Sequence, residues 1–245
     1  IVELSKDLAH IMFKVTHYVM YVSPIGIFGA IAYTVGAFGI EMLIPLLKLV
    51  FTLYAGLIVF LAIVLGIASA LTKVNLFKLF IALKEPTILA FTTAASEAAL
   101  PIAMEKLKKM GIPNHIVSFV LPLGYTFNLD GSTLYSALAV VFIAQVYGVP
   151  FPIDQQILMM ITLMLSTKGI AGVPGGSLIV VAATSVAFGL PVEGLALILG
   201  IDRVLDMGRT VCNLLGNCIA AAIVGRWEQE VSAEDLKRYI DHPLT

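Results

Sequence analysis

Charge is what this sequence has least of. Asp, Glu, Lys and Arg make up 13% of its 245 residues, with 15 basic against 16 acidic side chains and a formal net charge of −1. A water-soluble domain carries about twice that share to cover its core, and so even a balance offers no basic face for nucleic acid. Cysteine is scarce as well. Cys212 and Cys218 lie in one apolar stretch with neither C-x-x-C nor metal-ligand spacing, so they read as small packing residues and say nothing of redox compartment. The G-x-G-D, G-x-S-G and H-E-x-x-H patterns are missing, which leaves an aspartyl dyad of Asp130 and Asp206 without a peptidase signature around it. No cleavable leader is expected ahead of the first helix.

What is abundant is apolar side chain: 59% of the chain is hydrophobic and its mean hydropathy is +0.98. Residues 49–71 run uncharged for about the 20 residues that cross a hydrocarbon layer as a helix, and this segment alone implies a membrane protein. Residues 15–39 read as a first span kinked at Pro24 and residues 42–71 as a second, while 192–225 read as one long final helix. Between them, segments 76–92, 97–109, 114–127, 132–148, 154–167 and 174–189 are mostly too short to span and are separated by Gly, Pro or charge.

Lys and Arg placement sets the expected orientation. Lys6, Lys14, Lys73, Lys78, Lys84, Lys106, Lys108, Lys109, Arg226, Lys237 and Arg238 fall at ends that share one side, whereas 37–43, 146–156 and 187–196 carry none, so the basic side is read as cytoplasmic. That alternation requires 76–109 to enter and leave from the cytoplasm and 154–189 to do so from outside, as two re-entrant hairpins. Their tips are marked by Ser96-Glu97 to Pro101 and by Gly169 to Gly176. Each is followed by a helix with buried polar groups, the inverted-repeat pattern that points to a transport site near the midplane. The expected organisation is a scaffold-type helix with its lead-in over 1–40 and a core over 41–225. The core comprises helix 42–71, hairpin 76–109, broken helix 114–148, hairpin 154–189 and helix 192–225, followed by a solvated cytoplasmic tail over 226–245.

In the final helix Asp202, Asp206, Arg209, Asn213 and Asn217 stand at offsets 0, 4, 7, 11 and 15, which fall within an arc of roughly 80°. Such a stripe in an apolar helix is costly unless each charge meets water, an ion, a ligand or another charge. An Asp206–Arg209 ion pair at i, i+3 is the plainest explanation, yet five polar residues exceed what a pair requires. The planar fork of Arg209 matches a carboxylate, Asp206 can accept from an ammonium group, and backbone N–H groups at the hairpin tips can hold a second carboxylate. Together these describe aspartate or glutamate.

A second constellation is Thr126-Phe-Asn-Leu-Asp-Gly-Ser132, where Asn128, Asp130 and Gly131 are expected to interrupt the helix and expose carbonyls beside a carboxylate, a hard-oxygen group suited to a small cation. A capped kink is the alternative, although Asp at that depth is an expensive way to make one. Glu97 reads as an N-terminal capping carboxylate or a proton carrier, and Lys168 as a snorkelling surface cation.

At these residues the sequence resembles the dicarboxylate/amino acid:cation symporter family, the bacterial glutamate symporters and the mammalian excitatory amino acid transporters. The shared motifs are Ala94 to Pro101, Asn128 to Gly131, Gly172 to Gly175 and Asp202 to Asn213, and the likeness covers nearly the whole chain. It implies an all-α membrane fold with two re-entrant hairpins and a broken helix, and a homotrimer in the lipid bilayer working as an elevator. The second hairpin would be the external gate. It places a multi-pass protein in a bacterial inner membrane with a cytoplasmic C-terminus. It implies substrate contacts at Ser96, Val173, Gly175, Asp206, Arg209, Thr210 and Asn213. It also implies cation contacts at Gly124, Thr126, Asn128, Asp130, Thr167, Ile170, Asp202, Asn213 and Asn217, with Na+ or H+ as coupling ion and no cofactor. The chain opens at Ile1, at what resembles the family's fifth transmembrane helix, so an upstream portion is expected.

Three departures bear on coupling. Asn217 stands where sodium-coupled members place an Asp, Leu129 replaces a Met in the break, and Ser136 occupies a position where eukaryotic members carry a protonatable Glu. Proton coupling, or coupling to fewer sodium ions, follows, with Asp130, Asp202, Asp206 or Glu97 as proton sites. Relatives that carry dicarboxylates without an amino group lack an acid at the Asp206 position, and neutral amino acid carriers lack the Arg. A C4-dicarboxylate symporter is therefore the second reading, and a channel is disfavoured by an Arg at midplane depth.

Overall fold

The computed structural model describes residues 2–73, 77–168 and 175–241, and among them every regular element is helical. Helix α1 (Val2–Phe38) carries Pro24 within it. A 3-10 turn, Ile40–Met42, leads into α2 (Leu43–Thr72). Leu46, Leu49, Leu53, Leu57, Leu65 and Ala68 line the buried face of α2 at helical spacing, while its other face presents Phe51 at 71% exposure and Leu71 at 68%. In water that face would drive association; against lipid tails it is the ordinary surface. The stretches Ile40–Thr72, Asn114–Val146 and Asp202–Trp227 are each long and apolar enough to cross a bilayer.

Short helices occupy the segments expected to be too short to span. Helices α3 (Phe77–Ala82), α4 (Lys84–Thr93) and α5 (Ser96–Lys109) come first, and α4 packs on α5. The turn between those two is made by Ala94 in the left-handed region at φ +50° and Ala95 in extended conformation, which places Ser96 at the start of α5, with Glu97 in its first turn. Helices α6 (Asn114–Phe127) and α7 (Asp130–Val146) form one path with a break, followed by α8 (Ile153–Ser166) and α9 (Gly176–Ala187). The short α10 (Gly194–Leu199), the long α11 (Asp202–Trp227) and α12 (Ala233–Asp241) complete the chain. The expected second tip lies largely outside the described residues, and with it Ile170 and Val173.

Helix α11 is the hub, packed against α2, α4, α5, α6 and α7. It joins two apolar clusters. One gathers Leu79, Leu107, Leu121, Leu214 and Ile219 around α3 to α6, and the other gathers Leu53, Ile143, Leu163, Val181 and Leu205 around α7 to α10. Cys218 belongs to the first and Cys212 to the second, both as free, buried thiols, in keeping with their reading as packing residues.

Two local expectations need correction. The break is made by Asn128 and Leu129, which alone are non-helical, whereas Gly131 sits in the first turn of α7. The tail is more than a solvated extension. Val231 and Leu236 are buried in the first cluster, and Arg226 binds the carbonyls of Thr72 (3.3 Å) and Val231, so an amphipathic α12 folds back on α3.

Candidate functional site

Asp202 opens the first turn of α11, where free backbone N–H groups and the positive end of the helix dipole favour a carboxylate. The four other members of the stripe follow on the same face, and all five are buried, down to 2% exposure for Arg209 and 1% for Asn217. They divide into two groups.

In the first group, Arg209 Nε donates to Asp206 Oδ1 at 2.8 Å and Nη1 donates to Asp202 Oδ1 at 3.4 Å. The Tyr135 hydroxyl donates to that same Asp202 oxygen at 2.8 Å, and its ring lies 4.1 Å from the guanidinium carbon, a cation–π contact. Thr210 Oγ1 donates to Asp206 Oδ1 at 3.4 Å. The backbone N–H of Gly175, at φ +78° where only glycine is at ease, donates to Asp206 Oδ2 at 3.1 Å and ties the start of α9 to α11.

The i, i+3 ion pair is thus formed, but it does not exhaust the guanidinium. Arg209 Nη2 is buried with no hydrogen-bond partner among the described residues. A buried, unpaired donor on a cation is costly, so the group retains one direction in which it favours an anionic oxygen.

The second group surrounds the break. Asn213 accepts from the backbone N–H of Gly131 at 2.8 Å and donates to Ser132 Oγ at 3.1 Å, which links the first turn of α7 to the middle of α11. The side-chain amides of Asn128 and Asn217 meet at 3.0 Å, and turning the Asn128 amide over brings its nitrogen to 3.1 and 3.2 Å from the Asp130 carboxylate oxygens. Gly124 accepts the Asn128 N–H on its carbonyl at 2.8 Å, and a side chain at Gly124 would overlap the Asn217 amide. Thr167 and Thr133 hydroxyls lie 3.0 Å apart. Lys168, read as a snorkelling surface cation, is exposed, and its ammonium donates to the Phe127 carbonyl at 2.6 Å. Amide, hydroxyl and carbonyl oxygens around a single carboxylate suit a monovalent hard cation or a proton, and among the described residues no three His, Cys, Asp or Glu side chains gather as a transition-metal site.

Of the residues singled out from sequence, Asp206, Arg209, Thr210 and Gly175 come together in the first group, and Gly124, Asn128, Asp130, Asn213 and Asn217 in the second. Asp202 joins Arg209 and Tyr135 rather than the group at the break. Ser96 is buried at the start of α5, on the α4–α5 pair that packs against α11, while the described hydrogen bonds of Arg209 run to the two aspartates. Thr126 is exposed. Tyr135 and Thr133 were not foreseen, and Ser132 was named only as the end of the constellation that starts at Thr126. The available signal was a second stripe on α7, where Gly131, Ser132, Tyr135, Ser136 and Ala139 recur at helical spacing and are all buried.

Long apolar helices with lipid-type outer faces, crossed by one fully buried stripe of paired charges and amides, define a multi-pass integral membrane protein with an internal polar site. The chain belongs to the sodium:dicarboxylate symporter family, whose profile matches residues 1–227. It is 50% identical over 240 residues to the proton/sodium-glutamate symport protein of Geobacillus stearothermophilus, covering 98% of this chain and 57% of that protein. It is 46% identical over 239 residues to the proton/glutamate-aspartate symporter of Escherichia coli (strain K12), covering 98% of this chain and 55% of that one. A C4-dicarboxylate transport protein of Cupriavidus taiwanensis is 40% identical over 243 residues, or 99% of this chain and 56% of its own length. The chain therefore spans somewhat over half the length of these relatives.

Proposed function

We propose that the protein is a secondary active symporter that takes up glutamate or aspartate together with protons, sodium ions or both. The observation that carries this reading is the buried Arg209 fork, paired on two sides by Asp206 and Asp202 and, among the described residues, without a partner on Nη2. A side-chain carboxylate approaching Nη2 gains a charge-assisted hydrogen bond inside a dry site, and the amino group finds Asp206 one turn away. Charge balance supports the coupling. Asp130, Asp202 and Asp206 against Arg209 and Lys168 leave one net negative charge when all are ionised, and an acidic amino acid adds another. Burying that excess is prohibitive unless cations enter with the substrate.

The relatives named for C4-dicarboxylates give a second reading some support. Asp206 separates the two, because a dicarboxylate without an amine would set its own carboxylate against that of Asp206. In the full-length protein, glutamate and aspartate should each displace labelled glutamate, while succinate should compete poorly; equal competition by succinate would favour the second reading. The remaining parts of the proposal are a homotrimer in a bacterial inner membrane with a cytoplasmic C-terminus, and an elevator motion of a core over 41–225.

Two substitutions probe the two groups separately. Tyr135→Phe keeps the ring beneath Arg209 but removes the hydroxyl from Asp202, so Asp202 leans harder on the guanidinium and competes with substrate. Glutamate affinity is expected to fall about tenfold, the cost of roughly one hydrogen bond to a charged group, and an unchanged dissociation constant would remove Tyr135 from the site. Asn217→Asp adds a carboxylate beside Asn128 and within the Asp130 group. Half-maximal stimulation of uptake should then need about tenfold less sodium, a shift visible in a sodium titration at fixed glutamate.

A further inference from the structure

The end of α8 is fastened to both halves of the broken helix by two consecutive residues. Thr167 Oγ1 meets Thr133 Oγ1 of α7 at 3.0 Å, and Lys168 Nζ donates to the carbonyl of Phe127, the last residue of α6, at 2.6 Å. The final carbonyls of a helix lack intrahelical partners and carry partial negative charge. Two non-helical residues further on, Asp130 opens α7. Lys168 is itself exposed, and its ammonium, held on the last carbonyl of α6 at the break, places a fixed positive charge at an oxygen of the kind that otherwise suits a small hard cation.

We propose that Lys168 is a built-in cation of the site. Its ammonium supplies, at the break, a positive charge that a sodium ion would otherwise have to bring, and so makes binding of the acidic substrate less dependent on sodium. The inference rests on the reading of the chain as an acidic amino acid symporter, and it deepens that reading by assigning one of the balancing charges to the protein itself. The tether also joins the segment before residues 169–174 to the break, so loss of the charge is felt where both elements meet.

The test is glutamate binding by calorimetry to the purified full-length protein, with either choline or sodium as the sole added cation, in the wild type and in Lys168→Met, Lys168→Gln and Lys168→Arg. The quantity read is the ratio of dissociation constants in choline and in sodium. Removing the charge should raise that ratio about threefold or more in the Met variant, the effect of roughly one elementary charge at close range in an exposed position. Gln still offers an N–H donor to Phe127 but no charge, so it should behave as Met does and serves in its place if the Met variant does not accumulate. Arg should keep the wild-type ratio. Ratios in the Met and Gln variants indistinguishable from wild type would overturn the proposal. So would a Gln variant that matches wild type while Met does not, since the tether and not the charge would then matter. A wild-type protein that binds no acidic amino acid in either salt would instead overturn the underlying functional reading.

Discussion

Replacing Arg209 by Cys in the full-length protein is expected to abolish uptake of glutamate and aspartate. The guanidinium is 2% exposed, holds Asp206 at 2.8 Å and Asp202 at 3.4 Å, and stacks on Tyr135. Its removal takes away the cation paired with those two carboxylates on α11 and, on the proposed reading, the donor offered to the substrate side chain. Truncating one partner of a buried, hydrogen-bonded charge pair costs about 2–5 kcal/mol, or roughly thirtyfold to several thousandfold in affinity. Two unopposed carboxylates then repel an acidic substrate further. A small neutral amino acid, which has no side-chain carboxylate to satisfy, should lose less than glutamate does. Unchanged affinity for both acidic amino acids, measured by binding to membranes that contain the variant, would refute the assigned role.

The second large effect is expected at Gly131. A Cβ there would lie 2.6 Å from the Arg209 carbonyl oxygen and 3.0 Å from both the Arg209 Cα and the Cys212 Cβ. Two of those neighbours are backbone, which cannot swing aside, so Gly131→Ala forces α7 and α11 apart. The displacement breaks the Gly131 N–H to Asn213 bond and carries Tyr135 away from Arg209 and Asp202. Overpacking of this kind costs about 1–3 kcal/mol, and a shift of about 1 Å in a binding constellation costs roughly a hundredfold more in function. The variant should therefore be present in the membrane with a lowered thermal midpoint and uptake reduced at least about a hundredfold. Wild-type uptake would show that the two helices do not need this approach.

The same position shows how sequence and structure divided the work. Gly131 beside Asn128 and Asp130 reads naturally as part of a helix break, because glycine and a short polar side chain disfavour helix. Its actual requirement is close approach to a helix some eighty positions away, which no local pattern reveals. The stripe of α11 was legible because an apolar helix tolerates few charges and five at helical spacing leave little freedom of interpretation. Tyr135 was not, since an aromatic residue in an apolar helix is ordinarily core, and only the packing of α7 against α11 turns its hydroxyl to Asp202. Lys168 stands exposed near a helix end, as a snorkelling cation does, but its partner was not legible. A long side chain near a helix end reaches several places, and the carbonyl it finds at Phe127 belongs to another helix. Helix α12 escaped notice because Leu236, which is buried in the core, stands in a run of charge.

The account rests most heavily on acidic amino acids entering with cations that balance a buried excess of negative charge. Its direct test is accumulation of labelled glutamate and aspartate into liposomes containing the full-length protein, with an inward proton gradient and an inward sodium gradient imposed separately. Saturable accumulation above equilibrium, driven by at least one gradient and abolished when both are dissipated, is the predicted result. Uptake that only equilibrates under either gradient, or that neither gradient supports, would contradict it.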